Sequence, residues 1–589
     1  MPPINTPNLN QLWANLIIEE CLRNDIHYFC LASGHRSSPL ACAVAFNKRA
    51  KSFIHYDERG VAFHALGYAS AHRRPAVIIS TSGTAAANFF PAVIEASKKK
   101  LPLLVLTADR PPELRETGAM QTIDQVGLFG RYVRWQFDLP CPTMEIAPHF
   151  ILTSVDQAIH RAKTTPAGPV HLNCMFREPL EPVPAEPDLS PYLKDLNTWK
   201  KSKRPYTAYI RSDTAFKDQT RGPIISLLNQ IRRGCIVVGK LHSPEEQDAV
   251  LSLAQKLNWP VFPDIASGLR LGTQHRCLIP HYDPMLLCPQ ILEEWGLDGV
   301  LHLGGRITSK RWYAYMEKRR PPCYIMVMNH PLRHDPLHNV TTRIQSDIAA
   351  FGHYLALSTK LKTSRASLSR LKEASDCVKE AIQQYVQKQK VLSEPVVAHL
   401  ISLHIPENTG LFLGNSMPIR DMDMFAAADK NAVIVGGNRG ASGIDGTLAS
   451  AFGFCAGLRR PVTVMTGDLA FLHDLNSLKM HQHLNHPVVI IILNNNGGGI
   501  FSFLPIAQYT QVFERYFATP HDLHFEQASH MFGLNYAQPR TPEELIAAYT
   551  MTFVRKKSTV IEISIDRNDN VRIHQELQKH IVARLQTNA

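Results

Sequence analysis

Short apolar runs alternate with helical patterns along most of this chain, and that alternation restricts the fold more than any other feature. Runs at 27–31, 52–55, 76–80 and 103–107 read as strands, with helical patterns over 60–73 and 85–98 between them. Short apolar strands joined by helices make βαβ units, and such units build parallel sheets. The alternation returns at 235–238, 299–303 and 324–328, then again at 410–413, 432–435, 462–466, 488–493 and 559–563. A Pro-rich, charged stretch from Glu181 to Pro187, continuing to Arg204 and Pro205, separates the first group from the second. A long polar helical pattern over 366–390 separates the second from the third. A chain of 589 residues is too long for one core. The expected fold is α/β, with three domains at 1–190, 205–358 and 366–589. Each should hold a mostly parallel sheet flanked by helices.

Composition removes several classes of function. Hydrophobic residues at 44% and charged residues at 19% describe an ordinary globular protein. No apolar run approaches the eighteen or so residues of a membrane helix, and the opening MPPINTPNLNQLW lacks the basic-then-apolar order of a secretory signal. The 11 cysteines are scattered without a C-x-x-C pair, which fits reduced, buried thiols and a cytoplasmic location. The net charge is +12, but its basic runs are short, far apart and not interleaved with aromatics. Solvated faces and anionic small ligands explain that excess better than nucleic acid does.

In doubly wound sheets, ligands sit beyond the carboxyl ends of the strands. The run at 462–466 ends in Gly467-Asp468, and the run at 488–493 ends in Asn494-Asn495-Asn496-Gly497. Neighbouring strand ends therefore offer a carboxylate, a carboxamide and a glycine carbonyl. These are hard oxygen donors, suited to Mg²⁺ or Ca²⁺ rather than to a soft metal, and Mg²⁺ usually completes its shell with substrate phosphates. The glycines after Asn496 would let backbone approach such phosphates, and a helix starting after Asp468 would aim its amino end at them. His481, His483 and His486 look metal-like, yet residues two apart on a helix point to opposite sides, so a shared ion is not expected. There is no P-loop, no G-x-S-x-G elbow, and no G-x-G-x-x-G opening a helix after a strand.

Gly467-Asp468 followed by Asn495 resembles the metal–diphosphate motif of the thiamine diphosphate-dependent enzymes, with Leu469 at a position that is often Gly. Such enzymes also need a glutamate against the aminopyrimidine ring, and His55-Tyr-Asp-Glu58-Arg-Gly fits that role. Further stretches are similar to one family among them, the carboligases of the menaquinone pathway. These are ASGHRSSPL (32–40), DERGVAFHALGYA (57–69), LTADRPPEL (106–114), GAMQTIDQ (118–125), GPVHLNCMFREPL (168–180), GNSMPIRD (414–421) and NRGASGIDG (438–446). The middle domain carries only GGRITSKR (304–311).

That resemblance implies decarboxylation of 2-oxoglutarate on thiamine diphosphate and 1,4-addition of the resulting carbanion to isochorismate. It implies that Asp468, Asn495 and Gly497 hold Mg²⁺ (or Mn²⁺), and that Glu58 is catalytic at ring N1′. Cofactor contacts would come from Glu58, Arg439, Gly440, Ser442, Ile444, Asp468, Asn495, Ile500 and Phe501, with Ile444 holding the bent cofactor. Ser416, Arg420 and Arg439 would hold the 2-oxoglutarate-derived part, and Arg36, Arg110, Gln121 and Lys310 would face isochorismate. Both substrates are dicarboxylates, and guanidinium forks suit carboxylates. Ile500, Phe501 and Leu504 would wall the reacting carbon. The chain departs from the family pattern at His35, where Ser is usual, and at Met120, where Asn is usual. A homodimer or dimer of dimers, with active sites at the subunit interface, is expected. Two other readings remain: a different thiamine diphosphate-dependent 2-oxo acid decarboxylase or carboligase, and a non-enzymatic nucleotide-binding or regulatory protein of the same fold. The arginines speak against the former, and the joint presence of Glu58, Asp468 and Asn495 against the latter.

Overall fold

A computed structural model of the chain describes residues 7–184, 188–210 and 218–587. Three parallel sheets organise it. The first contains β1 (Tyr28–Ala32), β2 (Lys51–His55), β3 (Ala76–Ser80), β4 (Leu103–Asp109), β5 (Gln136–Leu139) and β6 (Pro169–Met175), in the order β2-β1-β3-β4-β6-β5. The second contains β7 (Gly234–Val238), β8 (Val261–Pro263), β9 (Gly299–Leu303), β10 (Cys323–Met328) and β11 (Thr342–Gln345), ordered β11-β10-β9-β7-β8. The third contains β12 (Gly410–Leu413), β13 (Ile434–Gly436), β14 (Val462–Gly467), β15 (Val488–Asn494), β16 (Asn535–Ala537) and β17 (Thr559–Ser564), ordered β13-β12-β14-β15-β17-β16. The expected α/β class, with three helix-flanked sheets, is what the chain forms.

Continuous Val/Ile/Leu runs become the central strands because helices cover both faces of a parallel sheet. Every residue of β15 is buried, as is every residue of β3, β4 and β6. The first sheet has its own core, which includes Leu12, Phe29, Leu104 and Val155. The second and third sheets share one, running from Phe262 and Trp312 to Leu411 and Ile491.

The chain forms two compact units. One comprises the first sheet with the segments Gly437–Arg459 and Leu472–His486; the other holds the second and third sheets. Within the first unit, the helix Glu58–His72 lies against the helix Thr447–Leu458. A Cβ on Gly67 would stand 1.9 Å from the Ser450 carbonyl oxygen, and one on Gly453 would stand 1.9 Å from that of His64. Glycine at both positions is what lets the two backbones touch. Gly453→Ala is expected to destabilise this unit by about 1–3 kcal/mol or more, because backbone cannot yield as a side chain can. A lowered thermal midpoint would register it.

Some elements differ from the expectations. The helical pattern over 85–98 breaks into Thr84–Asn88 and Phe90–Lys99, with Pro91 opening the second piece. The pattern after Asp468 gives a short α-helix, Asp468–His473, followed by 3-10 helix over Leu475–His483, so His481 and His483 do not lie on an α-helix. The expected linker is in part beyond description, since 185–187 lie outside the described residues. Its later part is anchored: Leu193, Leu196 and Trp199 join the first core, and the Trp199 indole donates to Glu20 at 2.7 Å.

Candidate active site

Every residue nominated from the sequence follows the carboxyl end of a strand. Arg36 follows β1, Glu58 β2, Arg110 and Gln121 β4, Lys310 β9, Ser416 and Arg420 β12, and Arg439 to Ile444 β13. Asp468 follows β14, and Asn495 to Leu504 follow β15. In the third sheet, β12 is flanked by β13 on one side and β14 on the other, so the chain reverses its winding there. Ser416 and Asp468 leave the two strands at that switch point, the usual ligand crevice of an open α/β sheet.

In the first unit, Glu58 opens the helix Glu58–His72 and is half-buried. Its neighbours are locked on both sides. Asn476 donates to the Asp57 carboxylate at 2.9 Å, and Arg59 donates to the His473 carbonyl at 2.8 Å. Asn88 approaches the Glu58 carboxylate at 3.5 Å. The 438–446 loop is held from beneath by Glu95, whose side chain is buried. Its carboxylate accepts the backbone N–H groups of Gly440 at 2.7 Å, Ala441 at 2.5 Å and Ser442 at 3.3 Å. Lys99 adds a bond to the Gly437 carbonyl at 2.8 Å, and burial pushes its ammonium down to about 8. Ile444 stays exposed at the loop tip.

Glu95 was not legible in advance. It sits inside a helical pattern as one acid among apolar residues, which usually marks a solvated position. Glu95→Ala would strand three N–H donors at a charge-assisted site, at a cost of about 1.5–3 kcal/mol or more. Urea unfolding should show a lower midpoint, and thiamine diphosphate should bind more weakly as the 438–446 loop loosens.

Three of the first-unit substrate candidates, Arg36, Arg110 and Gln121, come together. Arg36 is buried, donates to the Phe176 carbonyl at 2.9 Å and pairs with Glu178 at 3.1 Å. Arg110 donates to the Ser82 hydroxyl and, at 2.8 Å, to the backbone carbonyl of Gln121. Burial and then the nearby Arg36 charge lower the Arg110 pKa. The supporting frame is Gln125, missed in the sequence, whose amide accepts the Gly83 N–H and donates to Asn173, each at 2.9 Å. His35 bonds Glu181 at 2.8 Å, and Met120 is exposed.

The second unit brings together the remaining candidates in two groups. Lys310, Arg306 and Arg420 form a cationic cluster: burial first, then Arg420 and Arg306, lowers the Lys310 pKa. Ser416 has a positive φ of 74°, and its carbonyl accepts from Arg420. The loop that presents Lys310 is fastened by two buried carboxylates. Asp264 accepts from the Thr308 N–H, and Asp283 accepts from the Ser309 hydroxyl and, at 2.5 Å, from Arg311.

The other group is built on β14 and β15, which pair in register with Gly467 opposite Leu493. Asp468 is 1% exposed. Its carboxylate accepts the N–H of Leu469 at 2.6 Å and of Gly497 at 2.8 Å, with the His521 ring at 3.2 Å. Burial raises its pKa against the pull of those donors, the Gly497 N–H foremost. Asn495 donates through Nδ2 to Glu394 at 2.9 Å, while its Oδ1 is buried without a partner. A buried carboxamide oxygen left unpaired beside a buried carboxylate is the feature a hard cation satisfies. Gly497 has φ 128°, and a Cβ there would stand 2.0 Å from the Ala518 carbonyl oxygen, so no other residue fits. The donor set thus fits Mg²⁺ in type and burial.

The flanking asparagines have structural tasks. Asn494 bonds Glu562 at 2.7 Å and the Leu523 carbonyl at 3.1 Å. Asn496 accepts the N–H groups of His521 at 2.9 Å and Asp522 at 2.8 Å, thereby placing His521 at Asp468. Ile500 and Phe501 are half-buried, and Leu504 is exposed.

Family models match along the chain. The N-terminal thiamine pyrophosphate-binding domain of thiamine pyrophosphate enzymes covers residues 13–128, their middle domain 190–413, and their C-terminal thiamine pyrophosphate-binding domain 422–563. A 2-succinyl-5-enolpyruvyl-6-hydroxy-3-cyclohexene-1-carboxylate synthase of Rubrobacter xylanophilus is 46% identical over 97% of this chain and 98% of its own length. The protein of that name from Prosthecochloris aestuarii is 40% identical over 99% of both chains. Protein PHYLLO of Arabidopsis thaliana, described as chloroplastic, is 40% identical over 97% of this chain and 35% of its own length.

Proposed function

The chain belongs to the family of 2-succinyl-5-enolpyruvyl-6-hydroxy-3-cyclohexene-1-carboxylate synthases, and from that premise we propose how its residues act. It is a thiamine diphosphate-dependent transferase that joins 2-oxoglutarate, with loss of CO₂, to isochorismate in menaquinone or phylloquinone synthesis. The observation that carries the site assignment is the Asp468–Asn495 pair at neighbouring strand ends, with Asn495 Oδ1 buried and unpaired.

Bound thiamine diphosphate would supply an electron sink for decarboxylation and carbon–carbon bond formation. Asp468, Asn495 Oδ1 and the Gly497 carbonyl would hold the Mg²⁺ (or Mn²⁺) that meets its diphosphate. Glu58 would hold the proton at ring N1′, on a backbone fixed through Asp57 and Arg59. Arg439, Gly440 and Ser442 would line the cofactor, and Ile444 would pack against it. Ser416, Arg420 and Arg439 would receive the carboxylates of 2-oxoglutarate. Arg36, Arg110, Gln121 and Lys310 would receive isochorismate. Two cationic clusters, one around Arg36 and Arg110 and one around Lys310 and Arg420, suit a pair of dicarboxylates. Ile500, Phe501 and Leu504 would exclude water from the reacting carbon.

The same reading includes domain limits of 1–190, 205–358 and 366–589, each enclosing one sheet. It includes a cytoplasmic enzyme, supported by 11 free cysteines. Among the described residues, no helix is long and apolar enough to cross a membrane. It also includes a homodimer or dimer of dimers with active sites at the subunit interface. Ile54 and Tyr56, 56% and 58% exposed just before Glu58, support a covered surface there.

The test is incubation with thiamine diphosphate, Mg²⁺, 2-oxoglutarate and isochorismate, followed by mass spectrometry. The expected product is the adduct that lacks one carboxyl of 2-oxoglutarate. Free succinic semialdehyde without adduct would instead mark a different 2-oxo acid decarboxylase.

A further inference from the structure

Asn495 can bind a cation only through Oδ1, and before a cation arrives the amide itself does not set which of its two ends faces the site. Something in the fold must decide, and the side chain placed to do so is Glu394. Its Oε1 lies 2.9 Å from Asn495 Nδ2. As a carboxylate, Glu394 offers that amide acceptors only. The flipped amide would set Asn495 Oδ1 against the Glu394 oxygen and lose the bond. We propose that Glu394 is a positioning residue, which fixes the Asn495 amide with Oδ1 turned to the divalent cation. The unpaired, buried state of Oδ1 is the direct counterpart of that choice.

Glu394 is itself held. It begins the helix Glu394–His404, is 1% exposed, and its backbone N–H donates to Asn570 Oδ1 at 3.2 Å. Behind it, His574 donates to Asp421 at 2.9 Å and to the Asn570 carbonyl at 2.8 Å. One ligand atom from each of Glu394, Asp421 and His574 lies within 4.8 Å of the others, which invites a metal site in the triad itself. The hydrogen bonds argue against that: His574 Nδ1 is engaged by the Asn570 carbonyl and Nε2 by Asp421, so both ring nitrogens are already committed within the protein. The cluster works as a braced support instead. Asp421 follows Arg420 on the helix Met417–Phe425, and His574 belongs to the helix Arg567–Thr587. The same brace therefore joins the helix bearing Arg420 to the strand end bearing Asn495.

The inference rests on the reading that Asp468, Asn495 and Gly497 hold a divalent cation. Mn²⁺ binding, followed by electron paramagnetic resonance with saturating thiamine diphosphate, tests it without reference to turnover. Residues that orient metal ligands typically command about 10–100-fold in metal affinity, and Glu394→Leu, which keeps bulk but offers no acceptor, should weaken Mn²⁺ by that factor. Glu394→Gln can present either oxygen or NH₂ to Asn495 and should be partly rescued, with a smaller loss. Both proteins should keep the wild-type melting temperature without metal more nearly than their Mn²⁺ affinity. If Glu394→Leu does not fold, Glu394→Ala, which likewise offers Asn495 no acceptor, takes its place.

Asp468→Asn is the reference. Mn²⁺ binding lost there but retained in the variant that lacks an acceptor at position 394, within about threefold and well under the range for orienting residues, overturns the inference alone. A wild-type protein that binds no Mn²⁺, or an Asp468→Asn variant that binds it equally well, overturns the metal-site reading and the inference with it.

Discussion

Glu58→Gln is expected to lower turnover by about 10²–10⁴-fold, the range for a positioned acid–base group, while cofactor affinity changes only a few-fold. The two halves of that expectation have separate causes. Glutamine has the shape of glutamate and can still donate a hydrogen bond to ring N1′, so binding loses little. It cannot take up or release the proton, so the step that needs one fails. The fold should not move, because what fixes this stretch lies on either side of residue 58. Asn476 holds Asp57 and the His473 carbonyl holds Arg59, and neither bond involves the Glu58 side chain. A nearby side-chain donor, Asn88 at 3.5 Å, finds an oxygen on glutamine as well. Turnover measured at saturating thiamine diphosphate, with cofactor affinity measured separately by calorimetry, distinguishes the effects. Turnover within a few-fold of wild type would overturn the role given to this carboxyl.

The fold was legible because its central strands are buried on both faces and so appear as continuous apolar runs. β3, β9 and β12 match the runs at 76–80, 299–303 and 410–413 residue for residue. The strands β5, β6, β8, β11 and β16 were missed: β6 is buried throughout but mixes Pro, His and Asn with its apolar residues, β8 is only three residues long, and β5, β11 and β16 lie at sheet edges. Gln136–Leu139 and Thr342–Gln345 are mostly exposed or half-exposed, so nothing forces an apolar run. Candidate site residues could be nominated where chemistry demands particular residue types at strand ends, as at Asp468 and Asn495. The site was illegible where residues act at a distance in sequence. Glu95, Gln125, Glu394 and His521 each bond a loop or a candidate ligand contributed by another part of the chain, and no local spacing marks them. The asparagine triplet shows the difference in miniature. Asn495 could be singled out by its place in a motif, whereas the tasks of Asn494 and Asn496 depend on Glu562 and on the 521–523 turn, which only the fold brings near.

Asp468→Asn should cost more metal affinity than any support residue does, beyond the about 10–100-fold for residues that merely orient ligands. The substitution removes the one formal charge among the three proposed ligands and leaves a neutral oxygen, a poor competitor for a strongly hydrated Mg²⁺. Thiamine diphosphate should be lost in parallel, since the cation meets the diphosphate there, and gel-filtered protein should carry little of it. The protein without metal is expected to behave differently. Its Asp468 carboxylate accepts from Leu469, Gly497 and His521, and the asparagine oxygen can still take the Gly497 N–H at the same place. Burial already opposes the charge on Asp468, which shows as a raised pKa, so making the side chain neutral relieves part of that cost. The melting temperature of the metal-free variant should therefore equal or exceed that of metal-free wild type. The order should reverse once Mg²⁺ and thiamine diphosphate are added, because ligands stabilise only the protein that binds them. A crossing of the two melting curves on adding cofactor is the signature of a ligand. A variant that melts lower under both conditions would place Asp468 among the residues that simply hold the fold.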